Sequence, residues 1–431
     1  MSKLSPSDAW ECLLDKYNII QNIETKGYHE ITASEIKEFK EPRLMAKWDS
    51  SESLPSVFKK NKINILPNSR RSYLLSDFKL YQELPKLSEK EIDMQKVEIP
   101  EYESINIKNI TSESNAINLL MLSKILDDFL KEDENVSTFN GRMGTGQFNF
   151  NIDRYRGTPI NMTVNKAQCE IDGGFENENS IVILEAKNVV YPDFNIRQLY
   201  FPYRLWEQRV KKPIRLVFSI YSNEIYRLLE YEFEEVDNYS SIRLVNEKNY
   251  SLQDTDISNQ DLWDLYSETK ILYDDNQNNT NIPFIQADSF ERVISLMEIL
   301  DEEPLTTQEI SEIMQFELRQ SDYYFNAGRY LGLFKKEEID DRGILVHLTS
   351  LGNKVLNLNY KQRQLKLVKL ILNHKIFHEF FFYSYTSGTL PTRDEIKAQM
   401  RKYNVCNEGQ VDRRSRSVLS WVKWIFNLTN I

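Results

Sequence analysis

Cysteine is scarce in this chain: three residues in 431, Cys12, Cys169 and Cys406, far apart and with no Cys-x-x-Cys pair. That count excludes a disulfide framework and a thiolate metal cluster. Four histidines, His29, His347, His374 and His378, offer little for a histidine-ligated metal centre. His374 and His378 stand four apart on an expected helix and read as a solvated face. No apolar run approaches the length of a membrane span, and the N-terminal residues lack the apolar core of a signal peptide, so a cytoplasmic protein is expected. A Gly-x-x-x-x-Gly-Lys-Ser/Thr loop is missing, which argues against ATP-driven phosphoryl transfer. There is no internal repeat and no sustained heptad series. Glycine and proline, 13 each, are few.

What remains is globular: 41% hydrophobic and 28% charged residues, long enough for two to four domains. Lys and Arg number 54 against 65 Asp and Glu, a net charge of −11. That balance argues mildly against a nucleic-acid binder, although binding needs only a local basic surface. Basic clusters do occur, at Lys59-Lys60-Asn61-Lys62, Arg70-Arg71, residues 209–215 and Arg413-Arg414-Ser415-Arg416. Acidic residues gather elsewhere, in 89–103, 230–237 and 254–275.

Periodicity divides the chain into five parts. Residues 1–95 read as an N-terminal α+β module, with helices at 8–25 and 33–40 and strands at 63–66 and 73–81. Residues 96–253 open on a helix at 112–131. A glycine-containing turn at 140–146 follows, then strands at 148–152, 160–164, 170–172 and 181–187, a helix at 195–209, and strands at 214–221 and 225–235. Residues 254–285, rich in Asp and Asn, read as a linker. In 286–358, helices at 290–300, 306–314 and 319–333 precede a hairpin at 335–340 and 344–348. That is the order of a winged helix, whose third helix enters the major groove. Arg319, Gln320, Ser321, Asn326 and Arg329 are then the expected base or phosphate contacts. The alternative is a winged helix that binds protein, with Tyr323, Tyr324 and Phe325 as core; DNA contact is the favoured reading. Residues 359–431 are helical, with helices at 362–383, from 392, and at 413–428. Arg413 and Arg414, at the start of the last, oppose its dipole, a conflict that a phosphate would relieve.

The chemistry gathers in the middle. Side chains alternate along a strand, so in Ile183-Leu184-Glu185-Ala186-Lys187 the acid and the lysine share one face. Pairing with the strand that carries Glu170-Ile171-Asp172 brings Asp172 beside them. Two carboxylates and an ammonium converging on a sheet are what a hard divalent cation needs for phosphodiester hydrolysis. The lysine can orient or deprotonate a water and face developing negative charge.

Asp172, Glu185 and Lys187 resemble the motif of the PD-(D/E)xK nuclease superfamily, with Ile171 where the motif often has proline. Residues 37–49 with Glu41-Pro-Arg-Leu-Met45, Asn64-Ile-Leu-Pro67, Gly141-Arg-Met-Gly144, residues 168–175 and Gln198-Leu-Tyr-Phe-Pro-Tyr203 extend the likeness to bacterial type II restriction endonucleases of three-part organisation. The resemblance implies an α/β (α+β) fold with a mixed sheet flanked by helices, the N-terminal α+β module, and a C-terminal winged-helix and helical region. It implies Mg²⁺-dependent cleavage of double-stranded DNA at a short sequence, with a companion methyltransferase protecting the host. Asp172 and Glu185 would hold the Mg²⁺, Lys187 would contact the attacking water, and Glu113 or Glu170 would complete the site. Gln198 matches a polar position near the scissile phosphate. Arg43, Lys47, Arg70 and Arg71 would add N-terminal DNA contacts. A palindromic target would call for a homodimer. The competing readings are a structure-selective repair or anti-phage nuclease and a non-catalytic winged-helix regulator.

Overall fold

A computed structural model describes residues 4–85, 92–94, 103, 110, 112–253, 255–339 and 342–430. The expected boundary at residue 95 lies outside the described residues, as do Asp340 and Asp341 at the wing's turn.

In the N-terminal module the expected first helix is two, α1 (Pro6–Lys16) and α2 (Ile19–Lys26), because Asn18 between them takes φ 49°. Ser5 and Asp8 cap α1 reciprocally, satisfying its first free N–H groups. Then come β1 (His29–Thr32), α3 (Ala33–Lys37), α4 (Arg43–Ala46), α5 (Ser56–Asn61), β2 (Asn64–Pro67) and β3 (Ser72–Ser76). The three strands pair antiparallel in the order β1-β3-β2 over a core that includes Trp10, Phe58 and Leu75. Strand β4 (Tyr81–Glu83) leaves the module.

The centre of the molecule is a mixed sheet. Its elements are β5 (Ile92–Met94), α6 (Glu113–Leu122), α7 (Ile125–Leu130), β6 (Val136–Gly144), β7 (Gln147–Ile152), β8 (Ile160–Asn165), β9 (Gln168–Glu176), β10 (Ile181–Lys187), β11 (Asp193–Asn195), α8 (Arg197–Glu207), β12 (Ile214–Ser222), β13 (Ile225–Phe233) and β14 (Ile242–Ser251). Seven strands lie in the order β5-β14-β13-β12-β10-β9-β6. β10 runs parallel to β12 and β5 to β14; the remaining pairs are antiparallel. β10 is buried along its whole length, as its apolar run requires. Its Val182, Leu184 and Ala186 pack with Leu119, Leu120 and Leu126 of α6 and α7. Ile183 packs on the opposite side with Leu199 and Tyr200 of α8. Each such aliphatic or aromatic side chain contributes about 1.5–3 kcal/mol by leaving water. β11 pairs with β4 and so ties the N-terminal module to the core.

Three expectations fail here. The single helix expected over 112–131 is divided into α6 and α7, because Lys124 between them takes φ 54°. Residues 140–144 belong to the sheet, not to a turn: β6 pairs with β9 through two register shifts, and Gly141 at φ 88° absorbs the irregularity. The strand carrying Asp172 is also longer than 170–172. Within it Gly174 lies so close to Phe139 that an added Cβ would stand 2.3 Å from the ring, so only glycine fits.

The C-terminal region begins where a linker was expected, yet α9 (Asn259–Glu268) forms there. Then follow α10 (Phe290–Glu302), α11 (Thr307–Ile313), α12 (Leu318–Tyr330), β15 (Phe334–Ile339), β16 (Gly343–Leu348), α13 (Ser350–Leu356), α14 (Tyr360–Leu372), α15 (Lys375–Ser387), α16 (Arg393–Lys402) and α17 (Glu408–Asn427). β15 and β16 form a hairpin, and Leu305, between α10 and α11, bridges to Val346 of β16. The single helix expected over 362–383 is divided at His374. That imidazole is no solvated group: it is buried, with Nδ1 2.8 Å from Asp275 Oδ1. Asp275 also accepts from the Tyr330 hydroxyl at 2.5 Å and the Ile376 N–H at 3.0 Å, so the acidic "linker" supplies an internal anchor.

The tip of the β12–β13 hairpin plugs into this region. Asn223 and Glu224 both take left-handed φ, the geometry of a tight two-residue hairpin turn. Glu298 of α10 accepts from the Ser222 hydroxyl and the Asn223 N–H, while Arg363 of α14 donates to Glu224 at 3.1 Å.

Candidate active site

β9 and β10 pair as far as Gly173 and Leu184, and beyond that point the ladder ends. The Ala186 N–H, left without its strand partner there, donates to Asp172 Oδ2 at 2.9 Å. Asp172 is thereby fixed against the Glu-x-Lys segment. Glu185 and Lys187 are 6% and 8% exposed, unusual for such residues without a task or a partner. They have each other: Lys187 Nζ lies 2.6 Å from Glu185 Oε1. Glu113, in the first turn of α6, reaches Lys187 at 3.8 Å. Gln198, the second residue of α8, donates from Nε2 to Glu185 Oε1 at 2.5 Å, and its own Oε1 is enclosed without a hydrogen-bond partner.

Burial pushes the Glu185 carboxyl up to about 8, despite the downward pull of Lys187, with the charge of Asp172 adding to the rise. Burial likewise raises Glu113. Burial opposes the Lys187 ammonium, but the carboxylates of Glu185, Glu113, Asp49 and Asp172 outweigh it and hold the lysine protonated. The arrangement is an excess of acid around one cation, in a setting that makes ionised acid costly. A second cation would resolve that imbalance.

Among the described residues no three His, Cys, Asp or Glu side chains stand close enough to hold a metal ion by themselves. The donor chemistry nonetheless fits Mg²⁺, which binds through one or two carboxylates and keeps several waters. Asp172 and Glu185 offer two carboxylates of that kind, and the unpartnered Gln198 Oε1 offers a further oxygen.

Of the other residues singled out in the sequence, Glu170 is drawn away: it pairs with Arg142 of β6 at 3.2 Å and is half exposed. Arg43, Lys47, Arg70 and Arg71 are exposed, and Lys47 is close enough to act on Glu113. On α12, Arg319 and Arg329 are exposed, while Gln320 and Asn326 are half-buried. Ser321 is fully buried and cannot touch a ligand in this arrangement. Tyr324 and Phe325 are core. Arg413 is exposed and donates to Gln286 at 3.0 Å, but Arg414 turns inward and is 7% exposed, so the basic cluster there is not a continuous surface. Lys59 is occupied by Glu317 at 3.0 Å, and Arg215 by Glu230 at 2.6 Å.

One residue near the cluster was not a site candidate in the sequence, although it closes the 37–49 stretch. Asp49, in the loop after α4, lies close enough for its charge to act on Glu113, Glu185 and Lys187. No spacing rule connects it to residues more than sixty positions away.

Three domain families match the chain, each described as a domain of unknown function: DUF6996 over residues 7–75, DUF6997 over 76–251 and DUF7226 over 292–430. The middle match spans the mixed sheet and every residue of the cluster except Asp49. No curated protein and no solved structure matches the chain. No helix among the described residues is long and apolar enough to cross a membrane.

Proposed function

We propose that the chain is a Mg²⁺-dependent endonuclease of the PD-(D/E)xK type, cutting double-stranded DNA at a short sequence as the restriction partner of a methyltransferase. The observation that carries this reading is the convergence of Asp172, Glu185 and Lys187 where β9 and β10 part, with Gln198 and Glu113 against them. Asp172 and Glu185 would hold the cation, which when bound supplies Lewis-acid activation of water and charge neutralisation at the phosphate. Glu185 is then ionised, relieving the cost that burial imposes on it. Lys187, kept protonated by its acidic neighbours, orients the attacking water and faces the charge building on the phosphoryl oxygens; it is not the base. Gln198 holds Glu185 in place through its amide N–H.

Binding is assigned to two basic surfaces. Arg43, Lys47, Arg70 and Arg71 lie on the N-terminal side. α10–α12 with the β15–β16 hairpin, read as a winged helix, would present Arg319, Asn326 and Arg329 to the groove. The test is digestion of unmethylated phage DNA with Mg²⁺. Discrete fragments with common ends support a sequence-specific nuclease, a smear supports a structure-selective one, and intact DNA held in a stable complex supports the regulator reading.

A further inference from the structure

The carbonyls in the last turn of a helix have no partners within it, and those of α11 find theirs in side chains from elsewhere in the chain. The Tyr191 hydroxyl donates to the Ile313 carbonyl at 3.1 Å, and Arg292 of α10 donates from Nη2 to the Met314 carbonyl at 2.8 Å. Arg292 is also paired with Glu52 of the N-terminal module. The next residue, Gln315, takes φ 54°, and its Oε1 accepts from the Asp49 N–H at 3.5 Å. Glu317 then opens α12 without a side-chain cap bond, its carboxylate taken by Lys59 at 3.0 Å and Arg319 at 3.1 Å. The turn at 313–317, directly ahead of α12, is thus held by the N-terminal module, the sheet and α10 together.

Two of these attachments lead back to the Asp172, Glu185 and Lys187 cluster. Tyr191 stands four residues after Lys187, and it and Val189 are both buried in the core of the C-terminal region. β10 has β9 as a partner only as far as Leu184 and is paired with β12 alone from Glu185 to Lys187. The Tyr191 anchor therefore secures a segment that the sheet holds on one side. On the other flank, the Asp49 carbonyl accepts from the Asn195 N–H at 2.8 Å, and Asn195 lies three residues before Gln198. The chain leaving Lys187 and the chain entering Gln198 are both tied to one turn.

From this we infer that Tyr191 is a positioning residue for the site on β10: by satisfying the end of α11 it sets where Lys187 stands, so that the C-terminal region shapes the cluster as well as binding DNA. The catalytic use of this tie rests on the nuclease reading; the tie itself does not.

The test is Tyr191→Phe in the full chain, which keeps the ring in the core and removes only the hydroxyl. Tyr403→Phe is the matched control, giving up a hydroxyl bond to Glu379 at 2.5 Å elsewhere in the C-terminal region. Amide hydrogen exchange, without DNA or metal, should quicken about tenfold at residues 187–191 in Tyr191→Phe and keep the wild-type rate there in Tyr403→Phe. On a mapped duplex with Mg²⁺, kcat of Tyr191→Phe should fall about tenfold with KM within about twofold of wild type, while Tyr403→Phe cuts as wild type does. Unchanged exchange at 187–191 in Tyr191→Phe would overturn the tie. Quickened exchange with an unchanged kcat would overturn the positioning role and leave the nuclease reading standing. No cleavage by wild type would overturn the nuclease reading and the positioning role with it, and the exchange rates alone would then decide the tie.

Discussion

Replacing Glu185 by Gln keeps the shape of the side chain and removes its charge, which makes it a direct probe of how costly this site is. Glu185 is 6% exposed, and burial holds its carboxyl at about 8 instead of 4.5. A raised native value means that the folded chain keeps a proton that the unfolded chain has released. The associated stability is complete below pH 4.5 and is lost as pH rises through about 8. The difference of about 3.5 units, at about 1.4 kcal/mol each, caps the loss at about 5 kcal/mol. Glu298, which burial pushes up to about 7, adds to the slope below neutrality. Between pH 7 and 9 Glu185 contributes the largest single part of the remaining fall, on the order of 1 kcal/mol, with smaller parts from Glu298 and from Cys169, whose thiol burial pushes up to about 11. In EDTA, Glu185→Gln should lose less stability than wild type over that interval and be more stable than wild type at pH 9 by about 2–4 kcal/mol. Urea unfolding followed by tryptophan fluorescence at pH 7, 8 and 9 measures it. Added Mg²⁺ should stabilise wild type and leave the variant unmoved. A variant less stable than wild type at pH 9, or one that keeps the slope, would refute the reasoning.

Other outcomes follow from the same structure. Arg319→Ala and Arg329→Ala should each weaken duplex binding. Each should also lower the slope of log affinity against log salt by about 0.9 if it contacts a phosphate; an unchanged slope in fluorescence anisotropy would remove α12 from the DNA surface. Arg363→Ala leaves Glu224 and Glu298 as unpaired acids at the β12–β13 tip and should cost about 3–5 kcal/mol in urea unfolding. A loss under 1 kcal/mol would show that the hairpin tip does not lock the C-terminal region to the sheet.

Legibility in the sequence followed the range of the interaction. The continuous apolar run ahead of Glu185 marked a strand buried on both faces, and alternation put the acid and the lysine on one side of it. The glycine-containing segment at 140–146 read as a turn because its glycines speak locally for bending, whereas Gly141 serves a bulge and Gly174 a close approach to Phe139, both set by neighbouring strands. Asp275 and His374 read as solvated because each is polar; they are buried because they satisfy one another across nearly a hundred residues. Arg414 belonged to a basic run by composition, but its place on the inner face of α17 turns it away from solvent. Asp49 was illegible for the plainest reason: its relation to Glu185 exists only once β4 and β11 have paired.

The most direct test of the nuclease reading compares wild type with Lys187→Ala on duplex DNA containing a mapped cleavage site, with Mg²⁺ and with EDTA. Metal-dependent cleavage through this cluster predicts cutting by wild type in Mg²⁺ only, and a fall of at least about a thousandfold in the variant, about 4 kcal/mol of transition-state stabilisation. Duplex binding should be unchanged. Cleavage by Lys187→Ala at the wild-type rate would contradict it.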